Sequence, residues 1–297
     1  MTDRKSKQRR PAQGADSQNG VCLTRMDHKI FERFSEFIKE ELGIKMPSSK
    51  KTLLEARLQK RLRDLCMNSH EEYCEYLFSP SGMEDELPNL VDVVTTNTTD
   101  FFREPKHFDI LTSRVLPELY RRGGTGRNVN IWSAGCSSGE EPYTLSMVLS
   151  EFARMNVGFT FSILATDISN HVLRMAVRAV YPETKIAPIP PECRKRYLLR
   201  SKDRERKLVR IAQEARSRVR FRRLNFMEEF RFEGQLDVIF CRNVVIYFDR
   251  ETQERLFTRF CHKLVPGGYL FIGHSESLAG MTLPLVQVAP TVYRRIG

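Results

Sequence analysis

No stretch of this 297-residue chain approaches the ~18–20 consecutive apolar residues that a membrane-spanning helix requires. Its first residues also lack the apolar core of a secretory signal. Cysteine is scarce and irregular: seven, at positions 22, 66, 74, 136, 193, 241 and 261, with no Cys-x-x-Cys among them. An odd, scattered set excludes a disulfide framework and argues against a thiolate zinc centre, so it predicts reduced thiols in a cytoplasmic protein. Acidic residues are outnumbered, 37 against 48 Lys and Arg, for a net charge of +11. The excess is local. Residues 1–10 hold five Lys/Arg and one acid, residues 200–223 hold eleven and three, and the rest is close to neutral. Either segment suits an acidic partner (nucleic acid, anionic lipid or acidic protein) or is simply solvated.

With 41% apolar residues the chain can bury the core of one large domain or two smaller ones. Residues 1–22 read as a disordered basic tail. Residues 23–94 read as helices. Phe31, Phe34, Ile38 and Leu42 recur at helical spacing before Gly43, and Ser48 or Ser49 is placed to cap a helix over Lys50–Cys66 with the stripe Leu54, Leu58, Leu62, Leu65. A third helix is predicted over Glu71–Phe78. From residue 95 to 297 the pattern alternates between strands and helices, which implies an α/β fold with a parallel sheet covered on both faces. Strands are predicted at Val129–Ala134, Phe159–Thr166, Leu236–Cys241 and Tyr269–Gly273, and one or two more over Leu285–Ile296. Helices are predicted over Val172–Ala179 and Glu251–Leu264, the latter stopped by Pro266-Gly267-Gly268. Residues 192–223 break the rhythm. Leu208–Ala212 and Arg218–Arg222 read as antiparallel strands around a charged turn, an inserted β subdomain.

The most informative stretch is Ile131-Trp-Ser-Ala-Gly-Cys-Ser-Ser-Gly-Glu-Glu-Pro-Tyr143. A strand, a small-residue turn and a helix N-terminus ordinarily welcome phosphate. Here Glu140 and Glu141 stand where a pyrophosphate would lie and would repel it. The site suits a ligand with a cationic group and a ribose, a description that S-adenosylmethionine (SAM) fits. Asp167 ends the next strand, placed either to take the ribose hydroxyls or to cap the following helix. Asn97-Thr-Thr-Asp-Phe-Phe-Arg103 reads either as a segment folded over the site, with Arg103 facing a ligand carboxylate, or as a helix start capped by Thr98 or Thr99. The strand ending in Cys241 delivers Arg242 and Asn243 to a cleft edge, with Tyr247 one turn later, in the cleft or in the core.

Together, Thr95–Arg103, Ser133–Tyr143, Ala165–Ile168, Leu224-Asn225, Phe240–Phe248 and Gly267–Glu276 resemble the CheR-type chemotaxis receptor methyltransferases, over roughly residues 24–297. The resemblance implies a small N-terminal all-α domain packed on a Rossmann-like SAM-binding domain with an inserted antiparallel β subdomain. It implies transfer of a methyl group from SAM to receptor glutamates, with S-adenosylhomocysteine as product and no metal. Asn97, Thr99, Arg103, one of Glu140 and Glu141 (leaning to Glu141), Asp167, Asn225, Phe226, Arg242 and Asn243 would line the SAM site. Arg103 and Tyr247 would stand nearest the transferring methyl. The acidic helical methylation region of a chemoreceptor would meet the basic second helix at Arg57, Lys60 and Arg61. A monomer is expected. The turn that tethers a receptor's C-terminal pentapeptide is glycine-rich in members that use it. Here it reads Ser201-Lys-Asp-Arg-Glu-Arg-Lys207, so weak or absent tethering is expected. Two other readings compete: a nucleic-acid methyltransferase and a non-catalytic SAM-binding module. Against the first, the place of an Asp/Asn-Pro-Pro-aromatic motif holds Cys241-Arg-Asn-Val, and no Pro-Cys dipeptide occurs. His274, in Gly-His-Ser-Glu, is read as structural.

Overall fold

The computed structural model describes residues 25–123, 126–232 and 234–297; the tail expected over residues 1–22 lies outside the described residues. Five helices come first: α1 (His28–Leu42), α2 (Lys51–Asp64), α3 (His70–Leu77), α4 (Pro80–Asp85) and α5 (Leu87–Val94). Asp27 caps α1 by accepting from Lys29 N, and Gly43 ends it at φ 72°. Neither Ser48 nor Ser49 caps α2. The pair forms a 3-10 turn with Lys50, which leads straight into the helix. The apolar stripes meet as expected, with Phe34, Ile38, Leu54, Leu58, Leu62, Tyr73 and Leu90 fully buried against one another.

Next, α6 (Lys106–Ile110) continues through a π turn into α7 (Leu116–Gly123). The elements that follow are β1 (Asn128–Ala134), α8 (Glu140–Met155), β2 (Thr160–Asp167), α9 (Asn170–Arg178), β3 (Val180–Pro182), α10 (Pro191–Tyr197), β4 (Leu198–Arg200), β5 (Leu208–Ile211) and α11 (Gln213–Arg216). The chain ends with β6 (Val219–Arg223), β7 (Leu236–Cys241), α12 (Arg250–Lys263), β8 (Leu264–Ile272), β9 (Leu285–Ala289) and β10 (Val292–Arg295). Seven strands form one sheet in the order β6-β2-β1-β7-β8-β10-β9. It is parallel from β6 to β8, and the final hairpin adds antiparallel strands. Alternate residues of β1 serve opposite faces. Ile131 joins the core with Leu145, Leu149 and Phe240, while Trp132 joins Ile239, Phe257 and Phe260 on the other side.

Two expectations are corrected. Arg218–Arg222 does not pair with Leu208–Ala212; β6 is the edge strand of the large sheet, parallel to β2. The small antiparallel sheet is β3-β5-β4, so it draws on Val180–Pro182, well before residue 192. Pro266-Gly267-Gly268 does not end α12. That helix stops at Lys263, and the Pro-Gly-Gly already lies within β8.

Strand order reverses between β1 and β7, with β2 and β6 on one side of β1 and β7 and β8 on the other. Such a reversal leaves a crevice beyond the strands' carboxyl ends. Gly135 turns the chain there at φ 80°, and a Cβ on it would clash with Val244 Cγ2, so only glycine fits.

Candidate functional site

The crevice is a cavity closed on its open side by the helical domain. Its wall combines the 95–103 segment, the 135–137 turn, the ends of β2 and β7, and Leu42, Lys50, Leu53 and Arg57 from the helices. Four ties fix the junction. Asn225 Nδ2 donates to Glu41 O (2.8 Å), Lys45 N to Tyr247 O (2.8 Å), Ser169 Oγ to Asp92 Oδ1 (2.6 Å), and Arg57 Nη2 to Thr96 Oγ1 (2.9 Å).

Of the two glutamates at the start of α8, only Glu141 lines the cavity. Its carboxylate accepts from Ser133 Oγ (2.7 Å) and from Arg242 Nη1 (3.0 Å). Burial raises its pKa above the ordinary carboxylate value, although Arg242 and Ser133 work the other way. Glu140 points elsewhere, accepting from Ser138 Oγ (2.7 Å) and pairing with Lys185 Nζ (2.9 Å).

Asp167 is buried at the end of β2. It accepts from Ser137 N (2.8 Å) and Ser169 N (3.0 Å). It does not cap α9; Ser169 does, through Val172 N. Burial again raises the pKa, and the backbone N–H groups oppose the shift. Both Glu141 and Asp167 therefore face the cavity as acceptors.

Arg242 is the hub of this same side. Its side chain is 2% exposed, and it reaches Glu141, Glu104 Oε2 (Nη2, 3.0 Å) and the carbonyl of Arg103. Glu104 was not singled out in the sequence. Burial opposes its charge, but the guanidinium prevails and holds its pKa below the ordinary value. Glu276, inside a motif but without an assigned role, accepts from four backbone N–H groups: Gly273 (2.6 Å), Asn243 (3.0 Å), Val244 (2.9 Å) and Val245 (2.9 Å). That clamp holds Asn243 at φ 60°. Phe102, Glu104 and Ser137 are also left-handed, so strained backbone gathers around this one cavity.

Asn97, Thr99, Arg103, Asn225, Phe226, Asn243 and Tyr247 all line the same cavity. The 95–105 segment is not a helix start. Arg103 turns back to donate to Thr98 O (3.1 Å), and Asn97 O accepts from Ser137 Oγ (2.7 Å). Lys50, also not singled out, places its ammonium 5.7 Å from the Tyr247 ring centre. The three cations expected on α2 separate. Arg57 reaches the cavity wall while donating to the Val94 carbonyl and the Thr96 hydroxyl. Lys60 is exposed and forms no ion pair among the described residues. Arg61 is taken up inside the domain, with both arms on the buried Glu86 (2.7 and 2.8 Å). The β4–β5 connection has Lys207 at φ 46°, a conformation that glycine would adopt without strain.

Known proteins match both parts of the chain. Residues 29–95 match the CheR methyltransferase all-alpha domain, and residues 97–293 match the CheR methyltransferase SAM-binding domain. A chemotaxis protein methyltransferase of Borreliella burgdorferi is 40% identical over 267 residues, covering 89% of this chain and 93% of its own length. Chemotaxis protein methyltransferase 1 of Pseudomonas aeruginosa is 38% identical (89% and 97%), and the Escherichia coli chemotaxis protein methyltransferase 35% (89% and 89%). No helix among the described residues is long and apolar enough to cross a membrane. With both of its domains matched and the relatives aligned over most of their length, the chain belongs to the CheR family of SAM-binding chemotaxis methyltransferases.

Proposed function

We propose that this protein esterifies glutamate side chains in the acidic helical methylation region of chemoreceptors, using SAM and releasing S-adenosylhomocysteine. The observation that carries the reading is the composition of one cavity. Its sheet side holds Glu141, Asp167 and Arg242, and its helix side brings Lys50 and Arg57 to the same space.

The residues fit SAM. Asp167 offers acceptors to ribose hydroxyls, Glu141 and the nearby carbonyls suit a cationic amino acid end, and Arg103 suits its carboxylate. Asn97, Thr99, Asn225, Phe226 and Asn243 complete that wall. Bound SAM supplies a methyl activated by its sulfonium, which passes to the glutamate oxygen and leaves a neutral thioether. Everything else falls to the protein. A glutamate pKa of ~4.3 makes the substrate a carboxylate at neutral pH, so no side chain needs to act as a base. With Arg103 on the SAM carboxylate, Tyr247 holds the substrate carboxylate in line, with its attacking oxygen left unblocked. The apolar rim of Ile168, Phe226 and Phe248 sheds water from it. Opposite charges disappear in the reaction, so binding the ion pair too tightly would slow it. Lys50, Arg57 and Lys60 form the cationic approach for an acidic helix. Tethering through a receptor pentapeptide at Ser201–Lys207 is expected to be weak, and surface plasmon resonance with the free peptide checks it; low-micromolar binding would refute it.

Labelled methyl transfer to receptor-bearing membranes tests the reaction. Label released by mild base as methanol is expected; base-stable label would rule out the ester.

A further inference from the structure

Glu104, His107 and His274 meet outside the residues that line the cavity, and their ligand atoms lie within 4.8 Å of one another. His107 is 1% exposed. Its Nε2 is 2.7 Å from Thr291 Oγ1, and that hydroxyl donates to Pro290 O at 2.8 Å. A hydroxyl has one proton. With that proton on the Pro290 carbonyl, Thr291 Oγ1 accepts, and the ring must supply Nε2–H. The neutral imidazole then carries a bare lone pair on Nδ1. Among the described residues, Nδ1 has no hydrogen-bond partner. It faces Glu104 Oε2 at 3.4 Å, two acceptors confronting each other in a buried place. His274 Nε2 approaches the same oxygen at 3.9 Å from the exposed side.

We propose that Glu104, His107 Nδ1 and His274 Nε2 form a site for a zinc-class divalent cation, with a fourth position open on the His274 side. Two imidazoles and a carboxylate are a donor set zinc accepts, and anchoring the second nitrogen of one imidazole is the usual support for such a ligand. Tetrahedral ligation at ~2.0–2.1 Å puts donors roughly 3.4 Å apart. His107 and Glu104 already stand at that spacing, and His274, half exposed, needs only a small swing. Magnesium and calcium prefer all-oxygen sets and are rejected. Arg242 opposes a cation here, but it already serves both Glu104 and Glu141, which leaves the local charge negative. Metal and Arg242 share the Glu104 carboxylate, so occupancy loosens Arg242 and links this site to the cavity.

Titration of the full chain with Co²⁺, followed by visible absorption, tests the site. One equivalent should give a ligand-field band without thiolate-to-cobalt charge transfer. His274→Ala should weaken binding at least tenfold, Thr291→Val by about 10–100-fold through the lost anchor, and Cys66→Ala not at all. No band at millimolar Co²⁺, a band unchanged in His274→Ala, or a thiolate band removed by Cys66→Ala would each overturn the proposal.

Discussion

The two walls of the cavity differ in how they are held. On the sheet side, Arg242 bridges Glu104 and Glu141, Asp167 takes two backbone N–H groups, and Glu276 takes four. On the helix side, Arg57 is hydrogen-bonded to Val94 O and Thr96 Oγ1, while among the described residues Lys50 forms no ion pair and only nears the Tyr247 ring, and Lys60, beyond the cavity lining, is exposed. A rigid wall suits a ligand of fixed shape, and loose cations suit a helix that must present several glutamates in turn. On the proposed reading, the first wall takes the cofactor and the second meets the receptor.

Breaking the hub should have the largest effect. Arg242→Met leaves two partly buried carboxylates beside an emptied buried site, and a loss of about 3 kcal/mol in urea unfolding is expected, with SAM binding abolished. Arg61→Ala makes the sharpest contrast within α2. It leaves buried Glu86 without its cation and should cost about 3 kcal/mol, whereas Lys60→Ala, one residue away, should stay within about 0.5 kcal/mol of wild type. Equal effects on stability would deny Arg61 its structural place. Glu276→Gln removes the charge from the clamp. A loss of about 1–3 kcal/mol is expected, together with weaker SAM binding by calorimetry, because the Arg242–Asn243 turn relaxes.

The smallest effect concerns pH. Burial raises the pKa of Asp167 and Glu141, so their neutral forms favour folding below the raised pKa and that benefit is lost as pH rises through it. Lowering pH from neutral into the acid range where these carboxyls gain protons should therefore weaken SAM binding, without these two groups reducing stability. Calorimetry and thermal melts at neutral and acid pH check it.

How far the sequence reaches depends on distance along the chain. The β1 turn and Asp167 are legible because strand, glycine and acid lie in one short βα unit. Glu140 and Glu141 are not separable that way. Adjacent helical residues differ by about 100° in direction, and α8 is buried on nearly every face, so no apolar stripe reveals its rotation. Glu104 escapes notice because its partner Arg242 lies 138 residues on. The strand character of β6 is legible, with Val219 and Phe221 alternating with Arg220 and Arg222, but its partner is not, because the parallel neighbour β2 is remote and no hairpin turn links the two.

Steady-state methylation of receptor membranes, with SAM affinity measured alongside, tests the two-wall account most directly in Lys50→Ala and Asp167→Asn. Lys50→Ala should raise the receptor KM and leave the SAM Kd unchanged; Asp167→Asn should raise the SAM Kd and leave the receptor KM unchanged. If both variants shift both constants together, the division between the walls is wrong.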